Sequence, residues 1–145
     1  MAIAAAYDLE IKQYDAVNAF INADMDQLVY CYLPEGFSKP GYFMKLRKAL
    51  YGLRTSPRLW HKELSATLRK LGLKQVPGIE CLYQGNGLII FFYVDDIMVM
   101  YHRSNQSQLA KFERGLMNKY DITCLGDARW FLGIRIERDK DQAKI

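Results

Sequence analysis

Two adjacent carboxylates, Asp95 and Asp96, interrupt an otherwise apolar and aromatic stretch, LIIFFYVDDIMVMY at residues 88–101. An isolated charge in apolar surroundings is costly unless it is paired or binds a metal ion. The apolar segments on either side predict two strands, over residues 88–94 and 97–101, joined by a tight two-residue hairpin turn. At such a turn both carboxylates can reach one pocket and hold a metal ion. The alternative is an exposed turn pair without a ligand.

A third carboxylate, Asp15, ends the segment YDLEIKQYD, whose alternation predicts a half-buried strand over residues 7–15. Two carboxylates alone bind Mg²⁺ weakly, because this ion keeps several waters and usually relies on substrate phosphates. A third carboxylate at the end of a neighbouring strand could complete a two-metal site for phosphoryl transfer. The alternative is that Asp15 caps a short helix that follows it.

Basic and acidic residues occupy different parts of the chain, whose formal net charge is +4. Residues 45–74 hold nine Lys or Arg against one Glu, whereas residues 8–26 hold five acidic residues against one Lys. A basic block of this kind suggests binding to nucleic acid or another polyanion. A solvated helix face explains the same pattern equally well.

The composition excludes several classes of protein. Half of the 145 residues are hydrophobic and a quarter are charged, which predicts a packed single domain over residues 1–145 and argues against disorder. The longest apolar run is too short to span a bilayer, and no signal peptide is recognisable. Three widely spaced cysteines without a CxxC motif argue against a zinc site or disulfides and favour a reducing, intracellular compartment.

The remaining segments predict the elements that must position the carboxylates. Apolar periodicity and turn residues predict short strands over 28–33 and 42–46, a short helix over 16–24, helices over 57–71 and 107–120, and a final strand, or a hairpin broken at Gly133, over 129–137. Ser56 is the predicted N-cap of the first long helix. This order predicts an α+β fold, with an antiparallel sheet and helices packed on one face.

Five motifs occur along the chain, in the order DAVNAF at 15–20, PEGF at 34–37, LRKALYGLRTSPRLW at 46–60, YVDD at 93–96 and LGDARWFLGIRI at 125–136. Together they resemble the reverse transcriptases of copia-type retrotransposons, which have these motifs in the same order. DAVNAF and YVDD are similar to the two catalytic motifs of the polymerase palm. The resemblance covers almost the whole chain and implies an antiparallel-sheet palm that acts as an RNA-directed DNA polymerase.

The resemblance also implies a role for individual residues. Asp15, Asp95, Asp96 and the backbone carbonyl of Ala16 would hold two Mg²⁺ ions, which Mn²⁺ could replace. One ion would activate the primer 3′ hydroxyl, and the other would hold the incoming triphosphate. The implied substrates are deoxynucleoside triphosphates and a primer on an RNA or DNA template.

Further residues are expected to contact these substrates. The expected nucleotide-binding residues are Ala19, Phe20, Tyr51 and Gly52, and a ring at position 20 would clash with a 2′ hydroxyl. The expected nucleic-acid-binding residues are Arg54, Arg58, Tyr93, Phe131, Leu132 and Gly133. The alternatives are that Phe20 is a core aromatic, that Arg58 is an ordinary surface residue, and that residues 131–133 form a bulged core strand.

Some features depart from the family pattern. Ala16 stands where family members have a branched apolar residue, and only fourteen residues precede Asp15. The sequence therefore suggests a palm with part of the fingers, without thumb or ribonuclease H, from a retrotransposon Pol polyprotein. Such a protein would act without a membrane, in a cytoplasmic virus-like particle or the nucleus.

Two other functions compete with a polymerase. A truncated, non-catalytic element remnant would bind nucleic acid, a second copy of the chain or the missing Pol domains through uncovered faces. A metal-dependent nuclease would use the same carboxylates, but it would not account for the LYGLRTSP segment.

Overall fold

The computed structural model describes residues 2–137, and the ends of the predicted 1–145 domain lie outside this range. The helices are α1 (Ala2–Ala6), α2 (Ser56–Lys70) and α3 (Gln106–Met117). The strands are β1 (Glu10–Ala16), β2 (Tyr30–Tyr32), β3 (Phe43–Lys45), β4 (Lys74–Gln75), β5 (Leu82–Gly85), β6 (Leu88–Tyr93), β7 (Asp96–Tyr101), β8 (Ile122–Asp127), β9 (Trp130–Phe131) and β10 (Ile134–Arg135). Short 3₁₀ turns span Ala19–Asn22 and Arg103–Asn105.

These elements form two compact units. Among the described residues, one unit consists of residues 2–17 and 65–137, and the other consists of residues 18–64. Within the described range, no helix has the length and apolar character needed to cross a membrane.

The larger unit is built on a six-stranded sheet in the order β4-β5-β6-β7-β1-β8. Every pair of neighbouring strands in it is antiparallel. The mixture of helices and an antiparallel sheet confirms the predicted α+β class. Strand β1 lies between β7 and β8, so its backbone is hydrogen-bonded to a neighbouring strand on both edges.

One face of the sheet is covered by α3, which packs against the last turns of α2, residues 65–70. Leu109, Phe112 and Leu116 recur at helical spacing along α3 and are buried. Such side chains each stabilise the fold by about 1.5–3 kcal/mol when fully removed from water. The hydroxyls of Thr67 on α2 and Tyr120 just after α3 lie 2.6 Å apart, which ties the two helices together.

The other face carries α1 and the β9–β10 hairpin. Ala4, Ile11, Met98 and Met100 form a buried apolar cluster there, with Phe131 partly buried against it. A cavity of about 290 Å³ lies on this face beside the cluster. The two long helices thus lie on one side of the sheet, as predicted. The short helix α1, which was not predicted, lies on the opposite face.

The unit of residues 18–64 holds the β2–β3 hairpin and the first part of α2. Two ion pairs tie its segments together, Lys48 Nζ to Asp24 Oδ1 at 2.8 Å and Arg58 Nη2 to Asp26 Oδ2 at 2.6 Å. Both pairs are largely exposed, so each contributes little to stability.

Several predicted boundaries are wrong. The predicted helix over 16–24 shrinks to one 3₁₀ turn at Ala19–Asn22. Helix α2 already includes Ser56, so this residue is not its N-cap, and its hydroxyl donates to the Leu50 carbonyl at 2.6 Å. Of the two forms predicted for residues 129–137, the structure has the hairpin, β9–β10. Strands β4, β5 and β8 were not predicted.

Candidate active site

The strand register brings Asp15 and Asp96 together. Asp15 near the end of β1 is the direct antiparallel partner of Asp96 at the start of β7. The sheet ladder continues into the turn, because the Ala16 amide donates to the Asp95 carbonyl at 2.9 Å. All three predicted carboxylates therefore lie at one end of the sheet, although they are distant in sequence.

The β6–β7 turn differs by one residue from the prediction. Tyr93 pairs with Asp96, so the two connecting residues are Val94 and Asp95, and Asp96 belongs to β7. Val94 has a φ of 55°, in the left-handed region that a β-branched residue rarely adopts. Such strain persists only where surrounding contacts enforce it, and it is concentrated at functional sites. Pairing on both sides of the turn supplies that enforcement here.

The carboxylates repel one another. Partial burial raises the pKa of Asp15 above its ordinary value of 3.8, and the negative charges of Asp95 and Asp96 raise it further. A bound cation would relieve this repulsion. Carboxylate oxygens are hard ligands of the kind that Mg²⁺ and Mn²⁺ prefer, so the chemistry of the donor set fits such an ion.

The side chains do not, however, converge on a single point. Among residues 2–137, no three His, Cys, Asp or Glu side chains lie close enough together to hold a metal ion as they stand. One contact bears on this arrangement: Gln13 Nε2 donates to Asp96 Oδ1 at 2.9 Å. Binding of an ion by all three carboxylates would involve adjustment of their side chains, and the Gln13 contact can stay in place because it engages only one oxygen of Asp96.

Gln13 is a site residue that the sequence reasoning missed. It lies two positions before Asp15 on β1, and strand alternation places the two side chains on the same face. Gln13 is 8 % exposed. A polar residue two positions from a candidate catalytic carboxylate in a strand is a signal that could have identified it.

On the opposite face of β1, a partly buried polar network fixes the strand. The Tyr14 hydroxyl donates to Glu113 Oε1 on α3 at 2.6 Å, and Lys12 Nζ donates to the same oxygen at 3.3 Å. Burial raises the pKa of Tyr14 far above its ordinary range, and the hydrogen bond to Glu113 adds to the shift. This network anchors the segment that ends in Asp15.

The predicted nucleic-acid contacts of the larger unit fall into two places. Tyr93 pairs with Asp96, so its half-exposed side chain lies on the same face as that carboxylate. Leu132 and Gly133 form the β9–β10 turn, and both have positive φ, 49° and 77°. Phe131 packs its ring on Phe91, with the ring centres 5.4 Å apart. The predicted break at Gly133 is thus a hairpin turn.

The other predicted substrate residues lie in the unit of residues 18–64. Ala19 and Phe20 are both buried. The centre of the Phe20 ring lies 4.3 Å from the ring centre of the exposed Tyr51. Gly52 has a φ of 91°, which explains why glycine follows that tyrosine. Arg54 is exposed, whereas the guanidinium of Arg58 is engaged in an ion pair within this unit.

The sequence of the chain is similar to those of known proteins. All 145 residues match the family model of reverse transcriptase (RNA-dependent DNA polymerase). The chain is 30 % identical, over its full length, to the retrovirus-related Pol polyprotein from transposon TNT 1-94 of Nicotiana tabacum. It is 32 % identical over 95 % of its length to the Pol polyprotein from transposon RE2 of Arabidopsis thaliana. It is 31 % identical over 88 % of its length to the putative transposon Ty5-1 protein of Saccharomyces cerevisiae. The aligned part of the chain covers 11 %, 10 % and 43 % of these relatives, respectively.

Proposed function

Because the chain belongs to the reverse transcriptase family, we propose that it is the RNA-directed DNA polymerase palm of a retrotransposon Pol polyprotein. It would transfer nucleotides from deoxynucleoside triphosphates to a primer 3′ end on an RNA or DNA template. The observation that carries the proposal is the pairing of Asp15 with Asp96 across β1 and β7, beside Asp95 on the strained turn. These are the carboxylates that the sequence motifs single out.

The carboxylates are suited to hold divalent ions. Asp15 and Asp95 are the main candidate ligands of Mg²⁺ or Mn²⁺, with Asp96 and the carbonyl of Ala16 in support. When bound, such ions supply charge neutralisation and in-line positioning for phosphoryl transfer. The protein's own contribution is to hold three carboxylates at one sheet end against their mutual repulsion, through the β1–β7 pairing and the Ala16–Asp95 hydrogen bond.

The substrate contacts extend the proposal. Tyr93 and Leu132 are half-exposed on the unit that holds the carboxylates, so both are available to nucleic acid. Arg54 is an exposed cation suited to a phosphate contact that is independent of sequence and sensitive to salt. The buried ring of Phe20 supports a core role, and the exposed Tyr51, whose ring contacts it at a tilt of 46°, offers the accessible aromatic surface for a nucleotide.

One observation favours a second function, a non-catalytic binding module. Tyr30, Tyr32 and Phe43 lie on one face of the β2–β3 hairpin, because Tyr32 pairs with Phe43 and Tyr30 with Lys45. All three rings are exposed, Tyr32 by 82 %. An aromatic face of this kind suits the rest of a Pol polyprotein or a second copy of the chain as a partner.

Primer extension distinguishes the two functions. The chain would be incubated with a DNA primer on an RNA template, the four deoxynucleoside triphosphates, and Mg²⁺ or Mn²⁺. We expect extension by the native chain and by Glu35→Gln, which changes an exposed carboxylate that is not among the proposed ligands. Asp95→Asn should give none. Equal extension by Asp95→Asn would refute the assigned site, and inactivity of all three would favour the binding module.

A further inference from the structure

Gln13 makes a contact that links two strands at the carboxylate cluster. Its side-chain amide on β1 donates to Asp96 Oδ1 on β7 at 2.9 Å. The two residues are 83 positions apart in sequence, so only the antiparallel pairing of β1 with β7 brings them together. The carboxylate of Asp96 is thereby held at one oxygen.

Packing alone does not explain a glutamine at this position. Gln13 is almost fully buried and pairs directly with Met98, a member of the apolar cluster on this face. An apolar side chain would pack there without the cost of burying an amide. A buried amide needs a hydrogen-bond partner, and a bond to an ionised carboxylate is stronger than one between neutral groups. The hydrogen bond to Asp96 therefore accounts for the residue.

We propose that Gln13 is a positioning residue that fixes the Asp96 carboxylate and thereby sets the affinity of the cluster for a divalent cation. This inference rests on the proposed function, because it assumes that Asp15, Asp95 and Asp96 take up that cation. Hydrogen-bond partners that orient the ligands of a metal ion also influence its affinity. Mutation of such a partner typically weakens metal binding by roughly 10- to 100-fold. Gln13 touches Asp96 and acts through it.

The rival explanation is a purely structural role in joining β1 to β7. A structural role predicts that loss of the amide lowers stability and leaves metal affinity unchanged in the molecules that remain folded. The positioning role predicts weaker metal binding by the folded protein. It also predicts that the effect disappears once the carboxylate of Asp96 is removed.

The test is a Mn²⁺ titration of the whole chain, read by electron paramagnetic resonance without nucleotide or nucleic acid. The variants are Gln13→Met, Asp96→Ala and the double variant, with thermal unfolding followed by circular dichroism. Gln13→Met keeps the length of the side chain and removes its donor, and Gln13→Leu replaces it if it fails to fold. We expect roughly tenfold weaker Mn²⁺ binding by folded Gln13→Met. In the Asp96→Ala background, the same substitution should change nothing further.

Three results would count against the inference, and they are distinguishable. Native-like Mn²⁺ binding by folded Gln13→Met would overturn the positioning role and leave the proposed function intact. Equal weakening in the native and Asp96→Ala backgrounds would show that Gln13 acts through another group. Absence of Mn²⁺ binding by the native chain would refute the metal site itself, and the inference would fall with it.

Discussion

Replacing Asp15 with asparagine should abolish nucleotide transfer and at the same time make the folded chain more stable. Asp15 lies directly opposite Asp96 in the β1–β7 register, and the charge of Asp95 adds to the repulsion. Like charges directly opposite on antiparallel strands are destabilising by roughly 0.2–1 kcal/mol. Asp15 is only partly buried, so solvent screens part of this repulsion. An asparagine has the same shape without the charge.

The pH dependence of this effect has a definite sign. The folded-state pKa of Asp15 is raised above 3.8, first by burial and then by the neighbouring carboxylates. The folded chain therefore loses stability as pH rises from 3.8 through the folded-state pKa, because Asp15 ionises against its surroundings. The advantage of Asp15→Asn should be present in full at neutral pH and should disappear in acid.

Thermal unfolding at neutral and acidic pH measures this directly. If the repulsion costs about 1 kcal/mol, the midpoint of thermal unfolding of Asp15→Asn should exceed the native midpoint by roughly 2–4 °C. Glu35→Gln removes an exposed carboxylate outside the cluster and should leave the midpoint unchanged. A midpoint for Asp15→Asn at or below the native value at neutral pH would show that the carboxylates do not repel in the folded chain.

Two further predictions concern the network that anchors β1 and the expected contacts with nucleic acid. Tyr14→Phe removes the hydrogen bond to the charged Glu113 and should lower the free energy of unfolding by about 1.5–3 kcal/mol in urea titrations. Because the pKa of Tyr14 is raised in the folded state, native stability should also fall as pH rises above 10.0, and Tyr14→Phe should show less of this fall. Arg54→Ala should weaken nucleic-acid binding and reduce the slope of log K against log salt by about 0.9, read by fluorescence anisotropy. Arg58→Ala should have a smaller effect, because the guanidinium of Arg58 is already paired with Asp26. Equal effects of the two substitutions would contradict the assignment of the phosphate contact to Arg54.

The sequence predicted those parts of the site that depend on local pattern. The alternation of β1 and the apolar runs of β6 and β7 are visible in the residues themselves, so the strands and their hairpin could be located. The turn was misplaced by one residue because Asp95 and Asp96 are common turn formers, whereas Val94 at positive φ contradicts its own propensity. The ladder pairing of Tyr93 with Asp96 overrides that local preference.

Other features depend on contacts that no local pattern encodes. Strand β8 is largely exposed, so it lacks the alternation that marks a half-buried strand. The Gln13–Asp96 contact depends on the register between β1 and β7, which only the assembled sheet defines. The network of Tyr14 and Glu113 is non-local for the same reason.

Localised oxidative cleavage tests the central claim, that Asp15, Asp95 and Asp96 bind the divalent ions of a polymerase, most directly. Fe²⁺ would replace Mg²⁺, and ascorbate with peroxide would generate hydroxyl radicals that cut the backbone near the bound ion. We predict cuts near residue 15 and near residues 94–96 in the native chain, and their loss in Asp95→Asn but not in Glu35→Gln. Cleavage confined to other segments, or unchanged in Asp95→Asn, would contradict the assignment.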